Sequence, residues 1–161
     1  MDQTSLSKLN PVMSIEELNH FIEREFPQVN AGSPPGQPTY SILAIGDGTA
    51  SMRLEADERH LRPGGTVSGP TLFALADIAA YVAILAHIGP VALAVTTNLN
   101  INFLRRPASG RIDALCRILK LGKRLAVVEI SMMSAADGEM VAHATATYSI
   151  PPGTAPPNAV L

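Results

Sequence analysis

Residues 68–87 read SGPTLFALADIAAYVAILAH, and one carboxylate, Asp77, sits in the middle of this apolar run. Asp77 is the only formally charged side chain between Arg62 and Arg105. The spacing predicts a helix starting near Gly69-Pro70, where proline suits the first turn. Leu72, Leu75, Ile78, Ala79, Val82, Ala83 and Leu85 spread around most of its circumference. A helix that is apolar nearly all round is buried on nearly all sides. An ionised carboxylate in such a setting costs several kcal/mol unless it is paired or hydrogen-bonded. Asp77 is therefore either tied to a loop or core backbone group, or put to use.

The flanking sequence supplies a wrapper for the helix. TYSILAIG and TASMRLEA read as two strands around the hairpin punctuation GDG. Downstream, VALAVTTNLNINFL alternates from Val95, which assigns Val95, Thr97, Leu99, Ile101 and Phe103 to one face. Thr96, Asn98, Asn100 and Asn102 fall on the other. GRIDALCRILKLG places Ile112, Ala114, Cys116 and Ile118 together, and a hairpin turning at Asp137-Gly138 completes four strands. Upstream, SIEELNHFIEREF predicts a helix capped by Ser14 with Glu17, its stripe being Ile15, Leu18, Phe21, Ile22 and Phe26. The fold class is α+β, an antiparallel sheet curled around a long central helix. The expected division is a helix and linker over 1–38, one domain over 39–151 and a Pro-rich tail over 152–161.

Composition narrows the function. At 161 residues the chain fits one domain, and its charged fraction of 16% is low. So few charges suggest that other subunits cover part of the surface. A net charge of −2, no Trp and no basic stripe argue against nucleic acid as a partner. The long apolar run raises a membrane span, but Asp77 within it and Gly89-Pro90 interrupting it favour a core helix. The start MDQTSLSKLNPV lacks the pattern of a secretory signal, and the single Cys116 excludes an internal disulfide; both suit a cytoplasmic protein. No Cys/His cluster has ligand spacing, so no metal site is expected.

The segment HLRPGGTVSGPTLFALADIA (60–79) resembles the signature of hotdog-fold acyl-CoA thioesterases, particularly the phenylacetate-degradation (PaaI-like) branch. TNLNINFLRRP, LKLGKRLAVVEI and ATATYSIP resemble the strands that follow it, so the likeness runs from about Thr39 to Pro151. The resemblance implies metal-independent hydrolysis of acyl-CoA at a site between two subunits of a homodimer, often a homotetramer. Coenzyme A is then part of the substrate and no separate cofactor is needed. The family loop carries His, then Asn two residues on, a Gly, and a His-Gly-Gly with an acid eight positions after its first Gly. Here those positions are His60, Arg62, Gly65, Ser68-Gly69-Pro70 and Asp77. Arg62 replaces the Asn and Ser68 replaces the His. These departures motivate an alternative, a non-catalytic acyl-CoA binding or sensing protein.

Thioester hydrolysis needs an activated water or nucleophile and donors for the developing oxyanion. Asp77 suits the first role, as general base or by direct attack. The Gly69 N–H at the helix start suits the second, with Ser68 as a further donor or simply a cap. His60, Arg62, Gly65, Leu72, Phe73 and Tyr81 are candidate substrate contacts, Tyr81 lying one turn after Asp77. Arg105, Arg106, Lys120, Lys123 and Arg124 are candidates for the phosphates of coenzyme A. His87 is read as complementing the helix C-terminus, and His20 and His143 as structural.

Overall fold

The computed structural model describes residues 9–152. In chain order the elements are α1 (Ile15–Glu25), β1 (Tyr40–Gly46), β2 (Thr49–Glu55), β3 (Leu61–Arg62), β4 (Thr66–Val67) and α2 (Gly69–Ile88). They continue with β5 (Val95–Phe103), β6 (Arg111–Leu121), β7 (Leu125–Ser134) and β8 (Met140–Ser149). Six strands form one antiparallel sheet in the order β1-β2-β6-β7-β8-β5. β3 and β4 form a separate small hairpin within the Gly/Pro-rich loop, closed by Gly64 and Gly65 at positive φ.

The sheet curls around α2 as expected. Ile112, Ala114, Cys116 and Ile118 of β6, Val128 and Ile130 of β7, and Ala142 to Tyr148 at alternate positions of β8 face it and are buried. α2 has the length and hydropathy of a membrane span, yet Leu75 through Ala86 are mostly sealed against the sheet apart from Asp77 and Ile78. The helix stops at Gly89, whose φ of 97° suits glycine, and Pro90 follows.

Extra residues at Leu43, Thr97, Leu119 and Val141 interrupt the ladders and bend the strands. The bulge at Thr97 overturns part of the expected alternation. Thr96 pairs with Tyr148, but Asn98 pairs with Thr147, so the two sides of Thr97 are out of phase. Val95 therefore points outward, 57% exposed, and Thr96 turns inward. Downstream of the bulge Leu99 and Ile101 face the core as expected.

α1 begins with the expected reciprocal cap: the Glu17 N–H donates to Ser14 Oγ at 3.1 Å, and the Ser14 N–H to Glu17 Oε2 at 2.8 Å. Leu18, Phe21 and Ile22 enter the same core as α2. Phe26 leaves the stripe, because the helix ends there at φ −139°, ψ 58°. Leu18 is fully buried, so Leu18→Ala is expected to cost about 2–5 kcal/mol in denaturant-induced unfolding, through lost contacts and the void left behind.

His87 departs from expectation. It is fully buried, with Nδ1 2.7 Å from the Ala83 carbonyl and Nε2 2.9 Å from the Gly48 N–H. With the proton on Nδ1, the ring donates to one and accepts from the other, stapling α2 to the β1–β2 turn. Cys116 is packed, and burial pushes its thiol far above the usual range. Most of the Pro-rich tail lies outside the described residues.

Candidate active site

Asp77 is half-buried and held from the sheet by two hydroxyls. Thr96 Oγ1 donates to Asp77 Oδ1 at 2.5 Å. The Tyr148 hydroxyl lies 2.6 Å from the same oxygen and 2.9 Å from the Asp77 carbonyl. Thr96 and Tyr148 are cross-strand neighbours, so the bulge at Thr97 puts both hydroxyls on one carboxylate oxygen. Asp77 Oδ2 makes no hydrogen bond among the described residues. Burial, then the negative charge of Asp77, hold the Tyr148 phenol well above its usual range, so it stays a donor. The cost of the half-buried acid is thus met by hydroxyl donors, with no cation paired to it among the described residues.

Asp77 lines a cavity of about 510 Å³ with Phe26, Ile78, Tyr40, Tyr81 and Tyr148 among its walls. These are all three tyrosines of a chain with few aromatic residues. Tyr81 does not reach the carboxylate, as its hydroxyl donates to the Ala92 carbonyl at 3.1 Å. Its ring instead packs edge-on with Phe26, centroids 6.0 Å apart, and tilted against Tyr148 at 6.4 Å.

Gly69 lies elsewhere. Eight residues of α-helix separate it from Asp77, about 12 Å along the axis. As the first residue of α2 its N–H has no intrahelical partner, and it donates to nothing among the described residues. Its φ is not positive, and an added Cβ would lie 3.2 Å from the ring of the exposed Phe103, which would have to give by a few tenths of an ångström. Gly69 lines a second cavity of about 470 Å³ with Arg62, Leu72, Phe103, Arg105 and Arg106. Three guanidiniums and a helix N-terminus make that cavity attractive to anions. Arg105 also pairs with Glu139 at 3.3 Å.

The other candidates are placed as follows. Ser68 caps α2: its Oγ accepts from the Thr71 N–H at 3.3 Å and lies 2.8 Å from Thr71 Oγ1. His60 Nδ1 accepts from the Asp57 N–H at 2.9 Å, and the His60 carbonyl accepts from the Ser68 N–H at 2.8 Å. Hydrogen bonds from Arg59 lower the Asp57 carboxyl to about 2, so this turn stays anionic. His60 thus braces the start of α2 and lines neither cavity. Gly65 serves the β3–β4 turn. Leu72 is buried, and Phe73 is 40% exposed and lines neither cavity. Lys120, Lys123 and Arg124 flank the β6–β7 turn, level with Val95 through the ladder Leu125–Ser149–Val95. Arg105 and Arg106 follow the opposite end of β5, so the five cations do not gather within one chain.

Sequence reasoning missed Thr96 and Tyr148. Removing their hydroxyls tests whether they orient the acid. Thr96→Val and Tyr148→Phe are each expected to lower kcat about 10- to 100-fold with little change in KM, as each deletes a hydrogen bond to a charged group. Steady-state kinetics beside a melting curve separates this from unfolding.

Comparison with known proteins agrees with this architecture. Residues 64–141 match the thioesterase superfamily model. A candidate esterase of Saccharolobus solfataricus is 32% identical over 127 residues, covering 79% of this chain and 73% of the relative. The structure of a candidate thioesterase from Silicibacter sp. TM1040 superposes with a TM-score of 0.79 at 46% identity, covering 91% of this chain and 97% of that one. The E. coli PaaI protein of the phenylacetic acid degradation operon superposes at 0.65 with 25% identity, covering 71% of this chain and 81% of that one. The chain belongs to the thioesterase superfamily and carries its hotdog fold.

Proposed function

We propose that the protein hydrolyses acyl-CoA thioesters to a carboxylic acid and coenzyme A, without a metal, at a site shared by two copies of the chain. The observation that carries this reading is Asp77: one carboxylate oxygen is fixed by two hydroxyls and the other has no partner among the described residues, beside an aromatic-walled cavity. In the general-base route, Asp77 takes a proton from water as the oxygen bonds to the thioester carbon. The carbonyl electrons move to oxygen, then return as the C–S bond breaks and the thiolate takes up a proton. In the alternative route the carboxylate attacks the thioester carbon, the C–S bond breaks to release the thiolate, and water then opens the mixed anhydride to the acid and the Asp77 carboxylate. The ring-lined cavity suits an aryl or medium-chain acyl group.

An oxyanion donor must sit about 3 Å from the carbonyl oxygen, so a Gly69 some 12 Å along the same helix serves a different site. The edge strand β5 offers the solution. It has a free side, and Val95 and Phe103 are more than half exposed. Two copies pairing antiparallel about Leu99 set Thr96 opposite the partner subunit's Asn102. Asp77 then faces the partner subunit's Gly69, and the acyl carbonyl lies between them. The guanidiniums of Arg62, Arg105 and Arg106 beside that Gly69 suit the phosphates of coenzyme A. The same pairing brings Lys120, Lys123 and Arg124 to the side of the assembly that carries the partner subunit's Arg105. Exposed Leu115, Leu119 and Leu125 on the sheet offer a surface for a tetramer.

The test is thiol release from a panel of acyl-CoAs. Turnover supports the hydrolase. Tight binding with no turnover across the panel supports the binding-protein alternative, for which the capping role of Ser68 speaks, since its hydroxyl is engaged at the helix start.

A further inference from the structure

One wall of the cavity beside Asp77 comes from neither the sheet nor the central helix. Glu25, Phe26, Gln28 and Val29 come from the end of α1 and the turn after it, upstream of residue 64 where the family match begins. This wall is pinned at both ends. The Asn30 side chain pairs with the Tyr40 backbone like an added strand residue, donating to its carbonyl at 3.0 Å and accepting from its N–H at 2.9 Å. On the other side Phe21 and Ile22 are buried, and the Phe26 N–H bonds the Ile22 carbonyl at 2.8 Å. Phe26 packs its ring edge-on against Tyr81 at the cavity wall. A fixed wall of this kind limits the length of whatever enters.

Its charge is equally selective. Among the described lining residues the formally charged ones are Asp77 and Glu25, both acidic, and the lining includes no Lys, Arg or His. Arg24 pairs with Glu25 at 2.9 Å, but its side chain is exposed and outside the lining. Tyr40, Tyr81 and Tyr148 are held protonated, by burial first in each case. A second carboxylate at the far end of an acyl group would meet two negative charges, and Arg24, outside the lining, is already paired with Glu25.

Resting on the acyl-CoA reading above, we propose that the wall of Phe26, Gln28 and Val29 with Glu25 determines acyl specificity. It admits an uncharged acyl group of limited length and rejects ω-carboxyacyl groups. Hexanoyl-CoA and adipoyl-CoA share a chain length and differ by the terminal carboxylate. The wild type is expected to prefer hexanoyl-CoA by at least about tenfold in kcat/KM, the scale of like-charge repulsion in a partly desolvated site. Glu25→Lys is expected to erase most of that preference, and Phe26→Ala to move the optimum along a saturated series from butanoyl to dodecanoyl toward longer chains. Both side chains are partly exposed, so the fold should survive, which circular dichroism checks. The same pairs are measured as binding of non-hydrolysable S-alkyl thioether analogues by calorimetry. Selective binding without turnover would overturn the hydrolase and keep the specificity wall. Equal use of hexanoyl and adipoyl thioesters or equal binding of the hexyl and 5-carboxypentyl thioethers by the wild type, or profiles unchanged in both variants, would overturn the wall itself.

Discussion

Asp77→Asn is expected to lower kcat by about 10²–10⁴-fold, the range attributed to a positioned general base, while KM changes little. The substitution is close to isosteric. The Asn oxygen still accepts from Thr96 and Tyr148, so both hydroxyls keep their partner and the fold is retained. What is lost is the basic second oxygen, Oδ2. A melting temperature near the wild-type value beside collapsed thiol release would place the defect in chemistry rather than folding. Undiminished turnover would remove Asp77 from the mechanism. Single turnover in ¹⁸O-water tests the direct route: label entering Asp77 marks an anhydride opened at the Asp77 carboxyl carbon.

Mixing two inactive variants should restore activity. Gly69→Pro removes the one amide hydrogen proposed for the oxyanion at a position where proline is tolerated, and is expected to cost about 10²–10³-fold in kcat. In a mixed dimer of Gly69→Pro and Asp77→Asn, one site inherits both defects and the other neither. Random exchange makes half of the dimers mixed, so about one quarter of the wild-type activity returns when each variant alone is nearly silent. A site contained within one chain would recover nothing, however the variants are mixed. The measurement is specific activity after co-refolding, with size-exclusion chromatography to establish that dimers re-form.

The sequence disclosed the architecture because its signals were local. The Ser14–Glu17 cap, the alternation of β6 and the all-round apolar character of α2 each fit within about one element. Asp77 stood out as a charge without local company. Its partners did not, since Thr96 and Tyr148 lie 19 and 71 residues away and meet it only through the folded sheet. Strict alternation assigned Thr96 to the asparagine face, and the extra residue at Thr97 reversed that assignment. Tyr148 left a usable trace: in ATATYSI it shares a buried face with Ala144 and Ala146, where a phenol needs a polar partner. The cavity wall from Phe26 to Val29 was hidden for another reason. Its residues were read as the end of a separate helix and linker, and only packing carries them to Asp77.

The irregularity at Thr97 makes the chemistry depend on counting as well as on residue identity. With one fewer residue there, β5 would run in phase from end to end, and Thr96 would rotate to the solvent side with the asparagines. Every reactive group would still be encoded, and the acid would have lost one of its two anchors. Loss of a single codon, with no functional side chain altered, is thus a route from a working catalyst to an inert acyl holder on the same scaffold.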